Sequence, residues 1–119
     1  MVKYKRLYAK FFGYGIDDWI PCEICGNTLN DVHHILPKGM GGTDKDHILN
    51  LMGVCRDCHD KCDSDEIPVE NQFYKHVEFI MDAGLFDKLK EEFKKKPFEI
   101  KQSDNIKEEF RVKLLKLVS

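Results

Sequence analysis

Cys22-Glu23-Ile24-Cys25 and Cys55-Arg56-Asp57-Cys58 are the feature that most limits what this chain can fold into. Two residues between paired cysteines let one tight turn present both sulfurs to a single ion, and zinc takes four such ligands in a tetrahedron. Joining the two pairs closes a loop over the 29 residues between them, and metal binding then contributes folding free energy that a small core lacks. The expectation is a structural zinc on Cys22, Cys25, Cys55 and Cys58, with no coordination position left for water. A redox pair is the bland alternative, and two pairs flanking a histidine-rich stretch fit it poorly. Cys62 falls one helical turn after Cys58 and reads as a buried free thiol.

A chain of 119 residues makes one domain with a modest core. Apolar residues at 42% and charged ones at 34% are a globular composition, which excludes a disordered chain. Cysteines arranged for metal point to a reducing compartment, so a cytoplasmic protein is expected. The stretch Leu7 to Gly15 is short and broken by Lys10, so no membrane partner is expected. A net charge of -2 lacks the basic excess of most nucleic-acid binders. The basic residues do cluster, as Lys3, Lys5, Arg6 and Lys10, as Lys94 to Lys96, and as Lys107, Arg111, Lys113 and Lys116. Each cluster by itself reads as a solvated helix face.

Tyr4, Leu7, Tyr8, Phe11 and Phe12 follow the rhythm of a helix with one apolar face, stopped by Gly13 and Gly15. Pro21 keeps Ile20 extended ahead of the first knuckle, where Gly26 suits the tight turn. Val32 to Leu36 and Asp46 to Val54 read as two short strands joined by a glycine-rich loop, Pro37 to Gly42. His59 to Asp65 can start a helix that ends before Pro68. Further helices are expected with Phe73, Val77, Ile80 and Met81 on one face, then Leu85, Phe86, Leu89 and Phe93, then Ile106, Phe110, Leu114 and Leu117. Ser103 or Asp104 would cap the last of them.

Between the cysteine pairs lies Asp31-Val32-His33-His34-Ile35-Leu36-Pro37, then Gly41-Gly42, then Asn50-Leu51, and His59 follows Cys58 directly. In this order the residues resemble the His-Asn-His (HNH) endonuclease family. The resemblance covers about residues 19 to 65. It implies a small ββα-metal, treble-clef-like core stapled by the four-cysteine zinc, and with the leader helix read in 1-18 and the helical extension read in 66-119 the expected fold is α+β, one domain spanning 1-119.

By position, the resemblance implies that His34 is the general base that activates water, a task suited to an imidazole titrating near neutral pH. Asn50 would fix the hairpin loop and orient that base. His33 and His59 would bind a catalytic divalent cation. That shell is nitrogen-rich, so zinc, manganese, nickel and cobalt suit it better than magnesium, and the choice stays open. Neighbours on a strand point to opposite faces, so His33 and His34 can share a site only on a twisted or irregular strand. Asp63 stands where some relatives have another histidine; it could reach the cation, although a solvated carboxylate is the plainer reading. Lys38, Arg56 and Lys61 are candidates for phosphate contacts, while His47 and His76 match no family position and read as structural.

The implied activity is metal-dependent hydrolysis of DNA phosphodiester bonds, leaving 5′-phosphate and 3′-hydroxyl ends, with the ββα element in the minor groove. The alternative is a non-catalytic zinc module that binds DNA or a protein partner, and a preference for RNA is a third option. No sequence-reading motif marks residues 66 to 119, so low specificity or a targeting partner is expected. A homodimer would be the simplest route to cutting both strands. The small size would suit a gene of a phage or mobile element.

Overall fold

The structure, a computed structural model, describes residues 2–37 and 45–119. Of the expected glycine-rich loop Pro37 to Gly42, all but Pro37 lies outside the described residues, Lys38, Gly41 and Gly42 included. Helix α1 spans Lys3–Phe12, and its expected apolar face is the one that buries Tyr8 and Phe11. The chain then runs irregularly through the first knuckle, where Pro21 bridges Thr28. Strands β1 (Asp31–His34) and β2 (Leu51–Val54) pair antiparallel, with His33 opposite Met52 and His34 opposite Leu51. The fold is thus mixed α and β, with a two-stranded sheet.

Both strands are shorter than the expected Val32 to Leu36 and Asp46 to Val54. Residues Ile48–Asn50 form a 3-10 turn instead of extending β2, because the His47 ring caps it by accepting from the Leu49 amide at 3.0 Å. The backbone of Ile35 and Leu36 turns from the sheet toward Asn50: the Ile35 amide donates to the Asn50 carbonyl at 2.9 Å and the Leu36 amide to its Oδ1 at 2.7 Å.

Helix α2 spans Arg56–Asp63, earlier at both ends than His59 to Asp65. The sulfur of Cys55 occupies the N-cap and accepts from the Cys58 amide, so the knuckle itself starts the helix. Helices α3 (Val69–Asp82), α4 (Phe86–Lys95) and α5 (Glu108–Val118) follow. Met81, expected on the buried face of α3, is 51% exposed, and Gln72 and His76 share that face with Phe73, Val77 and Ile80. Neither Ser103 nor Asp104 caps α5, which begins after Lys107. They belong to a separate 3-10 turn, Gln102–Asp104, and Asp104 pairs with the buried Lys45 at 2.6 Å.

The two strands and helices α1 to α5 share one apolar core, in which Tyr8, Val32, Leu51, Phe73, Ile80, Leu89, Phe110 and Leu114 are buried. The expected extension therefore packs on the knuckle core as part of the same cluster. Among the described residues no helix is long and apolar enough to cross a membrane. Several of the basic residues have acidic neighbours: Lys5 meets Asp31, Lys94 meets Glu91, Lys95 meets Glu92 and Arg111 meets Glu108.

Candidate metal centre and histidine cleft

The two knuckles bring Cys22, Cys25, Cys55 and Cys58 together with all four sulfurs within 4.8 Å of one another. The Cys25 and Cys55 sulfurs are 3.6 Å apart, close to the ~3.8 Å edge of a tetrahedron with Zn–S bonds of ~2.3 Å. In the first knuckle the Cys22 carbonyl accepts from Gly26, whose φ of 81° is a left-handed value that costs glycine nothing. Burial opposes ionisation of Cys22, but the amides of Cys25, Cys55 and Ile24 outweigh it and bring the thiol down to about 7. Burial and the other three sulfurs push Cys58 up. Thiolates this crowded need a cation among them, and these residues fit a structural metal such as zinc. Cys62 stands outside the cluster, buried, its thiol raised to about 11 by burial and by Asp63.

The backs of the knuckles are tied by an unforeseen buried network. Glu23, a spacer of the first pair, accepts from the Tyr8 hydroxyl at 2.5 Å and the Gly53 amide at 2.9 Å through Oε2, and its Oε1 lies 2.6 Å from His76 Nδ1. His76 Nε2 lies 2.6 Å from the Ile48 carbonyl. Both ring nitrogens face acceptors, which suits an imidazolium. Burial works against that charge, yet Glu23 and the Ile48 carbonyl outweigh it and hold the ring's pKa above the ordinary 6.5. Gly53 carries no side chain for a reason: a Cβ there would collide with the Tyr8 hydroxyl and lie 2.6 Å from Leu29 Cδ1.

On the other side of the hairpin, His33, His34, His59 and Asp63 border one cleft of about 350 Å³, with Tyr4 and Cys62. The His33 and His59 rings meet edge to face with centroids 5.0 Å apart. Asp63 lies 3.8 Å from His33 Nδ1 and 3.5 Å from His59 Nε2. Its side chain is 63% exposed, as a solvated carboxylate would be, yet its ligand atom, with those of His33 and His59, falls in a group within 4.8 Å that could hold a metal ion. One turn of α2 carries Asp63 back beside the imidazoles, so its place fits both a solvated carboxylate and a cation ligand. Burial lowers the His33 pKa, only partly offset by its bond to Gln72, and a neutral ring is the state a cation requires.

His34 packs its ring on Tyr4, centroids 4.7 Å apart, and its Nε2 lies 2.8 Å from the buried Asp46 carboxylate. A carboxylate only accepts, so Nε2 carries the proton and Nδ1 of the neutral ring keeps its lone pair. Asn50 does half of what was expected. Buried, it accepts from the Leu36 amide and donates to the carbonyls of Leu36 and Lys45 at 3.1 and 3.0 Å, which pins the two ends of the hairpin loop. The side-chain partner seen for His34 is Asp46, which the sequence reading passed over. Arg56 and Lys61 are exposed on α2. His47 and His76 have the structural roles expected of them, as a turn cap and as the partner of Glu23.

Residues 10–87 match the family described as "Protein of unknown function (DUF968)", a span running from the last turn of α1 to the start of α4. The chain belongs to the DUF968 family. Both knuckles, the histidines and acidic residues of the cleft and α3 lie within the DUF968 span, and Tyr4 lies before it. A relative in Escherichia coli (strain K12), "Uncharacterized protein YdfU", is 33% identical over 61 residues, which are 50% of this chain and 18% of that protein. The chain thus covers under a fifth of the length of this relative. No solved structure matches the chain.

Proposed function

We propose that this DUF968 protein is a metal-dependent endonuclease of the HNH kind, hydrolysing phosphodiester bonds in DNA. The observation that carries the reading is one cleft bordered both by a histidine with a carboxylate behind it and by a group of two imidazoles and a carboxylate able to hold a cation. In this reading the ββα-metal core consists of β1, β2 and α2, stapled by zinc. His33, His59 and Asp63 would hold a divalent cation, which supplies Lewis-acid polarisation of the phosphoryl oxygen and neutralises charge on the leaving oxygen. His34 accepts the proton of the attacking water on Nδ1. Asp46 is its positioning residue, fixing the tautomer and stabilising the imidazolium that forms, as a buried carboxylate does behind other histidine bases. Asn50 keeps the loop closed, so that Asp46 stays in reach. Ends bearing 5′-phosphate and 3′-hydroxyl follow from an attack that expels the 3′ oxygen.

The net charge of -2 favours a second reading, a zinc module that binds a protein partner without catalysis. Digestion of supercoiled plasmid across a panel of divalent cations separates the two. The nuclease reading expects nicked or linear DNA with at least one cation, and a loss on the order of 10²-fold or more for His34→Ala at unchanged thermal stability. Cutting undiminished in that variant would overturn the role of His34, and no cutting with any cation would favour the module.

A further inference from the structure

Gln72, at the start of α3 and fully buried, makes contacts that neither the motif nor the reaction accounts for. Its side-chain nitrogen donates to the Ile67 carbonyl at 2.8 Å and faces the Cys62 carbonyl at 3.4 Å. Both partners only accept, so the orientation of the amide is not free: turning it over would set Oε1 against two carbonyl oxygens. Oε1 must therefore face the other way, where it lies 2.9 Å from His33 Nε2. The proton of the neutral His33 ring is then held on Nε2. The lone pair is left on Nδ1, the nitrogen 3.8 Å from Asp63.

We propose that Gln72 is a positioning residue that presets His33 as a cation ligand through Nδ1. This deepens the nuclease reading and rests on it. A metal-bound imidazole works best when its second nitrogen donates to a fixed acceptor, because the acceptor sets tautomer and ring orientation before the ion arrives. Here that acceptor comes from α3, outside the residues that resemble an HNH core, and its amide is anchored on the last turn of α2 at Cys62 and on the link to α3 at Ile67. Helix α3 would then do more than cover the core. It would complete the ligand set.

The test uses the full zinc-loaded chain and cobalt(II) as the probe, since a cobalt d–d band without thiolate charge transfer reports a nitrogen and oxygen site. Gln72→Met keeps the length and loses the acceptor. Gln72→Glu keeps an acceptor for His33 and loses the donors to Ile67 and Cys62. Positioning predicts cobalt binding weakened by about 10–100-fold in Gln72→Met and held within a few-fold of wild type in Gln72→Glu, even if that variant is less stable. A residue that only stitches the fold would lower stability in both and leave cobalt affinity alike, which overturns the proposal. Nitrogen-15 spectra of the cobalt-free wild type give a second readout without any variant: His33 protonated on Nε2 supports the assignment, and His33 protonated on Nδ1 refutes it. Wild type that takes up no cobalt beyond its zinc would remove the cation site and this inference together. Equal uptake by wild type and Gln72→Met removes the inference alone.

Discussion

Glu23 shows how much a single spacer residue can carry. Its neighbours Cys22 and Cys25 advertise a metal, yet its carboxylate, buried with His76, joins α1, β2 and α3 through Tyr8, Gly53 and His76. Breaking a buried pair leaves an uncompensated charge and costs ~3–5 kcal/mol, so Glu23→Gln should lower stability by about 3 kcal/mol where His76 is charged. The pH dependence has a definite sign. The folded His76 pKa lies above its ordinary 6.5, so the stabilisation is complete below that value and fades as pH rises through the folded one. Urea midpoints of zinc-saturated wild type and Glu23→Gln, taken from about pH 6 upward, should therefore converge. A gap that stays level with pH would mean His76 is neutral in the fold. Little of this was legible beforehand. A glutamate between two cysteines looks like a solvated spacer, and only packing shows that its partners are buried with it.

At the scale of elements, the knuckles set where secondary structure begins. The Cys55 sulfur caps α2, and the Glu23 amide donates to the Gly53 carbonyl in β2, so one turn anchors the helix and the other the sheet. Stripping the metal from the four sulfurs should thus melt β1, β2 and the first turn of α2 ahead of the α3 to α5 helices. Hydrogen exchange after adding a strong zinc chelator measures this, and hairpin amides that stay as protected as those of α3 would show that zinc is not the staple. Helix α3 was legible as a helix, because Phe73, Val77 and Ile80 keep the rhythm. Its chemistry was not. Gln72 and His76, four residues apart, lie on the same face as that apolar stripe, and polar residues set into such a stripe are the signal that could have marked them as buried and partnered.

Over the whole molecule, the helices of residues 66-119 pack into the same core as the knuckles and the hairpin. Phe73, Ile80, Leu89, Phe110 and Leu114 belong to the same core as Tyr8, Val32 and Leu51. Polar ties, among them Glu23 with His76, His33 with Gln72 and Lys45 with Asp104, also join residues before and after 65. Losing even one fully buried phenylalanine such as Phe73 costs ~3–5 kcal/mol, against a total stability of ~5–15 kcal/mol for a domain. A chain ending at residue 65 should consequently fail to fold with zinc present, giving a collapsed or undispersed amide spectrum. A dispersed, cooperative 1-65 fragment would show the core to be autonomous.

The sequence by itself determined the sulfur quartet, the first helix and the order of hairpin and helix, while His33, His34, Asn50 and His59 were singled out by the resemblance to a family. Those features are local: a knuckle is set by spacing, a helix by periodicity and a turn by glycine or proline. Tertiary structure alone decided that Asp63 joins the imidazoles, that Asp46 stands behind His34, and that Glu23, Gln72 and His76 are buried partners. Most of these depend on contacts between residues distant in sequence, from 12 positions for His34 and Asp46 to 53 for Glu23 and His76. Spacing carries no information about such contacts, because the chain finds them only when a shared core has brought its elements together.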